Sequence, residues 1–192
     1  MVIGWVALSC SFCTSTNMTR YYSQHHGALD SMERSYKQLY GFSPFSVLYT
    51  DRSFQQVSLE IVTDSLKYIY EFGTQEPRLK DTLIRYHLPV EGIYSLMEAM
   101  RSIHCTWISN LDYYVDDKKN SLVYISIHAR ALRFPLKSKK YYILTYFPQP
   151  QYYDSEGRLL DHRQRRRLRK INGEIFHRIN DRVCYTVSDL FR

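Results

Sequence analysis

The stretch Val57-Ser-Leu-Glu-Ile-Val-Thr-Asp-Ser-Leu-Lys-Tyr-Ile-Tyr-Glu-Phe72 decides the fold class. Apolar and polar residues alternate over 57–61 and again over 66–72, and Thr63-Asp-Ser65 stands between the two runs. Alternation with a period of two places one face of a strand in a core and the other face in water. The stretch therefore predicts two strands of an antiparallel meander that has one buried and one wet face.

The same pattern predicts further strands on both sides of this stretch. The run over 141–147 is apolar on both faces, which is typical of a strand in the middle of a sheet. Residues 73–80 are polar and predict a loop. The other predicted strands cover residues 46–50, 82–88, 106–115, 122–129 and 183–188.

Apolar residues at three- and four-residue spacing predict three helices. The first covers 28–40, the second begins after Pro89, and the third covers 158–180. Asn172 and Gly173 fall inside the third helix, where we expect a kink or a split. The apolar stripes are Leu29, Met32, Tyr36 and Leu39; Val90, Ile93, Met97 and Met100; and Leu168, Ile171, Ile175 and Ile179.

These elements predict an α+β fold, with an antiparallel sheet and about three helices packed on one of its faces. Their order is compatible with two α-β-β-β halves, and it is similar to the element order of cystatin-like and NTF2-like folds. A chain of 192 residues fits one domain. We expect residues 25–192 to form that domain and residues 1–24 to be a signal-like or tether segment.

The N-terminal segment is apolar and uncharged up to Cys10, and it becomes polar immediately afterwards. Val6-Ala-Leu-Ser-Cys10 resembles the end of a bacterial lipoprotein signal peptide. The resemblance implies acylation of Cys10, attachment to a membrane by a lipid anchor, and a place in the bacterial cell envelope or outside the cell. The alternative is a short apolar strand or a frayed segment with a buried Cys10 thiol, in a cytoplasmic protein.

Four cysteines are too few, in a chain of this length, for a disulfide scaffold. They are Cys10, Cys13, Cys105 and Cys184, and none of them has the spacing of a zinc site with a histidine. Cys105 and Cys184 lie in strand-like sequence, which predicts that both are thiols of the core.

Positive charge is concentrated in the last third of the chain. The formal net charge is +7, and residues 133–192 contain 14 Lys and Arg against 6 Asp and Glu. Within 163–170, six of eight residues are cationic. Arginine binds phosphate and carboxylate through two parallel hydrogen bonds, so this segment predicts an anion-binding face on the third helix. The candidate residues are Lys137, Lys139, Lys140, Arg163, Arg166, Arg167 and Lys170. The alternative is a solvated helix face without a ligand.

The sequence contains no recognised signature of a catalytic, metal, cofactor or RNA-binding site. We therefore predict no metal or cofactor, and a non-enzymatic envelope lipoprotein whose partner is an unknown protein or an anionic ligand. One alternative is a polyanion- or nucleic-acid-binding protein that uses the predicted helix over 158–180. Another is an enzyme with a site near Tyr124 and His128.

Overall fold

The structure is a computed structural model that describes the backbone of residues 9–115, 118–128, 140–163 and 165–189. Side chains are described within 17–113, 119–128, 140–163 and 166–189. The elements in chain order are α1 (Ser9–Tyr40), β1 (Phe45–Tyr49), β2 (Gln56–Val62), β3 (Lys67–Gly73), α2 (Pro77–Arg85), α3 (Val90–Ser102), β4 (Cys105–Val115), β5 (Lys118–His128), β6 (Tyr141–Tyr146), β7 (Leu160–His162), β8 (Arg165–Leu168), β9 (Lys170–Ile171), β10 (Glu174–Ile175), β11 (His177–Arg178) and β12 (Val183–Ser188).

The fold is α+β, as the sequence predicts, and its centre is an eight-stranded antiparallel sheet. The strand order is β11-β12-β6-β5-β4-β1-β2-β3. Two three-stranded meanders, β1 to β3 and β4 to β6, meet through their first strands, because Val47 of β1 pairs with Ile108 of β4. This order agrees with two α-β-β-β halves placed side by side in one sheet.

All three helices contribute to one core on the first face of the sheet. The apolar stripe of α1 is buried as predicted, but the helix begins at Ser9 instead of residue 28. Met18 is fully buried and Tyr21 is 6% exposed, because the three- and four-residue spacing continues backwards from Leu29. Residues 18–24, which the sequence predicts to lie in a signal-like or tether segment, therefore belong to a helix that packs on the sheet.

Helix α2 replaces the loop predicted over 73–80 and part of the strand predicted over 82–88, and both predictions are wrong there. Pro77 lies in the first turn, where its missing N–H costs no hydrogen bond. Leu79 and Leu83 are both fully buried, and their four-residue spacing places them on one helix face. Helix α3 follows Pro89 as predicted and buries Ile93, Leu96, Met97 and Met100.

The second face of the sheet is covered by short strands, and the third helix predicted over 158–180 does not form. Asn172 and Gly173 have φ angles of 51° and 81°, which is the backbone of a type I′ turn between β9 and β10. An Asn-Gly pair strongly favours such a hairpin over a helix. Leu159, Ile171 and Phe176 then pack into a second core against the sheet.

The two predicted core thiols are confirmed as free and buried, one on each face of the sheet. Cys105 belongs to the core beneath the helices, and Cys184 belongs to the second core. Burial raises the pKa of Cys105 to about 12 and raises that of Cys184 as well. Both groups are therefore neutral, unreactive thiols at physiological pH.

Candidate polyanion-binding surface

The cationic segment forms the hairpin of β7 and β8 and continues to Lys170 at the start of β9; we call residues 160–163 and 165–170 the basic ribbon. Strand β7 pairs with β8, with His162 opposite Arg165, and Arg163 lies in the turn between them. Arg166 and Arg167 are both exposed. Because consecutive strand residues point to opposite faces, both faces of the ribbon present a cation to solvent.

Four of the seven predicted anion-binding residues lie together on this ribbon: Arg163, Arg166, Arg167 and Lys170. All four are exposed, and none of them forms an ion pair with any carboxylate in the described part of the chain. The neighbouring arginines behave differently. Arg158 is paired with Asp154 at 2.8 Å and with Glu156 at 3.1 Å, and Arg178 is paired with Asp181 at 2.5 Å.

Arg169 anchors the ribbon to the sheet. Its guanidinium lies 5.0 Å from the ring centre of Tyr113 and 5.6 Å from that of Phe147, and its Nη1 donates a hydrogen bond to Oε1 of Gln151 at 3.0 Å. Its main-chain N–H also donates to the Leu159 carbonyl at 2.9 Å. This arginine therefore has a structural role that the sequence pattern did not distinguish from its neighbours.

Of the predicted lysines outside the ribbon, the structure describes Lys140. Lys137 and Lys139 lie outside the described residues. Lys140 directly precedes β6, and its Nζ lies 3.5 Å from Oδ1 of Asp189. The extension of the anion-binding face by Lys137 and Lys139 therefore stays a prediction, whereas Lys140 already has a carboxylate partner.

An exposed aromatic ring borders the ribbon. Tyr152 is 48% exposed, and its ring centre lies 6.4 Å from that of His162. The N–H of Leu160 donates to the Tyr152 carbonyl at 2.8 Å, which holds this residue beside β7. An exposed ring next to cations provides a stacking surface for a sugar or a base.

Tyr124 and His128, the residues of the enzyme alternative, are engaged in ring contacts on the second face. Tyr124 is 4% exposed and stacks on Trp107, with ring centres 5.9 Å apart and planes inclined by 21°. Burial raises its pKa, so the phenol is protonated at neutral pH. The ring of His128 meets that of Tyr141 edge-on at 5.2 Å.

Searches of family models, curated proteins and solved structures found no match for this chain. Within the described residues, no helix combines the length and the apolar character that crossing a bilayer requires. The backbone of Cys10 lies in the first turn of α1, and its side chain is outside the description.

Proposed function

We propose that this chain is a non-enzymatic protein of the bacterial envelope that binds a polyanion through the basic ribbon. The observation that supports the proposal is the group of four exposed cations that form no ion pair with the carboxylates that the structure describes. A cation that has no carboxylate partner keeps its charge available for an external anion. Arginine adds geometry, because its planar fork matches two oxygens of a phosphate, sulfate or carboxylate.

The size of the ribbon favours a polymer over a single small anion. Strand β8 has four residues, and a strand rises about 3.3 Å per residue, so the strand extends over about 13 Å. Both faces and the turn of the ribbon present cations along this length. A chain of repeated anions can contact several of them at once, and it gains entropy by releasing its counterions.

Charge reversal tests this proposal. We expect the triple variant R163E/R166E/R167E to bind heparin and polyphosphate at least about tenfold more weakly, because attraction is replaced by repulsion. The matched control is R34E/R52E/K80E, which alters three exposed cations on α1, α2 and the β1–β2 turn and changes the net charge equally. Equal losses of affinity in both variants, or no loss in either, would contradict a specific site on the ribbon.

The same binding measurements on a Tyr152 variant distinguish nucleic acid from the other polyanions. Base stacking on an exposed ring contributes about 1–3 kcal/mol, so Tyr152→Ala should weaken binding of single-stranded DNA if a base stacks there. The variant should leave heparin and polyphosphate binding unchanged, since neither polymer has a base. A DNA affinity that exceeds the heparin affinity and depends on Tyr152 would favour the nucleic-acid alternative.

We also propose that an acyl chain on Cys10 anchors the protein. Support comes from the sequence Val6-Ala-Leu-Ser-Cys10 and from the start of α1 at Ser9. A helix rises 1.5 Å per residue, so Cys10 lies about 12 Å along the helix from Met18, the first described residue that is fully buried. The anchor would therefore hold the folded part close to the bilayer.

Metabolic labelling with a palmitate analogue tests the anchor. We expect label on the native chain and on Cys13→Ala, and no label on Cys10→Ala. A native chain that takes up no label would reject the anchor. It would leave the ribbon to be tested separately with the soluble protein.

A further inference from the structure

A cavity of about 150 Å³ lies between the central sheet and the hairpin of β9 and β10. This volume is close to that of a protein cavity that accommodates one benzene ring. Of the residues that the structure describes, nine line it: Trp107, Tyr124, Ile143, Ile171, Asn172, Glu174, Phe176, Thr186 and Ser188. Five of these side chains are apolar or aromatic, and four carry polar groups.

Four neighbouring strands form the floor of the cavity. The register aligns Trp107 of β4 with Ser126 of β5, Ser126 with Ile143 of β6, and Ile143 with Thr186 of β12. Trp107 and Tyr124 stack on each other, so together they present an aromatic wall. Aromatic rings bind flat apolar groups through stacking and edge contacts.

The hairpin of β9 and β10 forms the ceiling and supplies the one charged side chain among the described lining residues. Ile171 and Phe176 are buried, whereas Asn172 is exposed in the turn. Glu174 is the one carboxylate among the nine described lining residues, and none of these nine is Lys or Arg. Ser188 Oγ lies 3.5 Å from Oε1 of Glu174, on the strand opposite the hairpin.

We propose that this cavity binds a small aromatic amine. One ring would lie against Trp107 and Tyr124, and the ammonium group would bind the Glu174 carboxylate. A carboxylate beside aromatic faces is complementary to a cation, because the faces of the rings are also electron-rich. A mostly apolar cavity with a few convergent polar groups is typical of small-molecule sites. The site does not depend on the polyanion function of the basic ribbon.

Four matched probes test the need for the ring and for the positive charge: phenethylamine, 2-phenylethanol, phenylacetate and ethylamine. Trp5→Phe leaves Trp107 as the single indole, since the chain contains two tryptophans. We expect a saturable shift of the Trp107 indole N–H resonance and of its fluorescence with phenethylamine. The dissociation constant should lie in roughly the micromolar to millimolar range for so small a ligand. We expect weaker binding of 2-phenylethanol and none of phenylacetate or ethylamine.

Substitution of the carboxylate tests its role. In Glu174→Gln the preference for phenethylamine over 2-phenylethanol should fall at least about tenfold, while 2-phenylethanol still binds. Glu156→Gln is the control, because Glu156 is paired with Arg158 and does not line the cavity. An unchanged native Trp107 resonance with every probe at millimolar concentration, or an amine preference that survives Glu174→Gln, would overturn the proposal. Unaltered heparin binding of the Glu174 variant would show that the ribbon is unaffected.

Discussion

At the scale of single residues, the buried tyrosines divide into two kinds that the sequence does not separate. The Tyr36 hydroxyl donates to the Phe45 carbonyl at 2.5 Å, and the Tyr49 hydroxyl donates to the Met97 carbonyl at 2.9 Å. These bonds attach α1 to β1 and β1 to α3. The buried hydroxyl of Tyr124 has no hydrogen-bond partner among the described residues. Burial raises the pKa of both Tyr36 and Tyr124, so each hydroxyl keeps its proton.

This difference predicts opposite effects of the same substitution. Tyr36→Phe should lower the free energy of unfolding by about 1–2 kcal/mol, because a buried hydrogen bond is lost and the Phe45 carbonyl loses its donor. Tyr124→Phe should leave that free energy unchanged or raise it, since it removes a buried polar group that has no described partner. Urea unfolding measures both. Equal destabilisation by the two substitutions would contradict this explanation.

At the scale of elements, the segment 158–180 shows how a spacing pattern can mislead. Leu168, Ile171 and Ile175 repeat at helical intervals, yet only Ile171 of these three is buried. The turn at Asn172 and Gly173 requires two positive φ angles, which a helix does not contain. Without the hairpins, the apolar face of the sheet around Trp107 would be exposed to water. The hairpins bury this face.

Alanine substitutions at two glycines test the importance of this turn. A Cβ added at Gly173 or at Gly27 would meet no atom within 4 Å, so packing does not oppose alanine at either site. Gly173→Ala should lower the free energy of unfolding by about 1–2 kcal/mol, because its φ of 81° is unfavourable for alanine. Gly27→Ala, in helix α1, should raise it by about 0.5–1 kcal/mol. Thermal unfolding of both variants provides the measurement, and destabilisation of the same size at both positions would argue against the turn.

At the scale of the whole molecule, both candidate sites lie in the layer on the second face of the sheet. The basic ribbon includes the hairpin of β7 and β8, and the cavity lies between the hairpin of β9 and β10 and strands β4, β5, β6 and β12. Arg169 connects the layer to β4 through Tyr113. The strands of the layer have two to four residues each, so packing against the sheet, more than strand pairing, stabilises it.

The sequence by itself determined the fold class, the strands of both meanders, the buried stripes of α1 and α3, the two core thiols and the concentration of charge. These features depend on local periodicity, which specifies which side of an element is apolar. The cationic cluster could also be located from the sequence, although the prediction that it lies on a helix was wrong.

Only the tertiary structure decided what covers each apolar face. It paired β1 with β4 and placed the hairpins of 158–180 against the second face of the sheet. It also separated Arg169, which is held by two rings, from the exposed cations beside it. The physical reason is that these outcomes depend on contacts between residues distant in the chain, and local spacing does not encode such contacts.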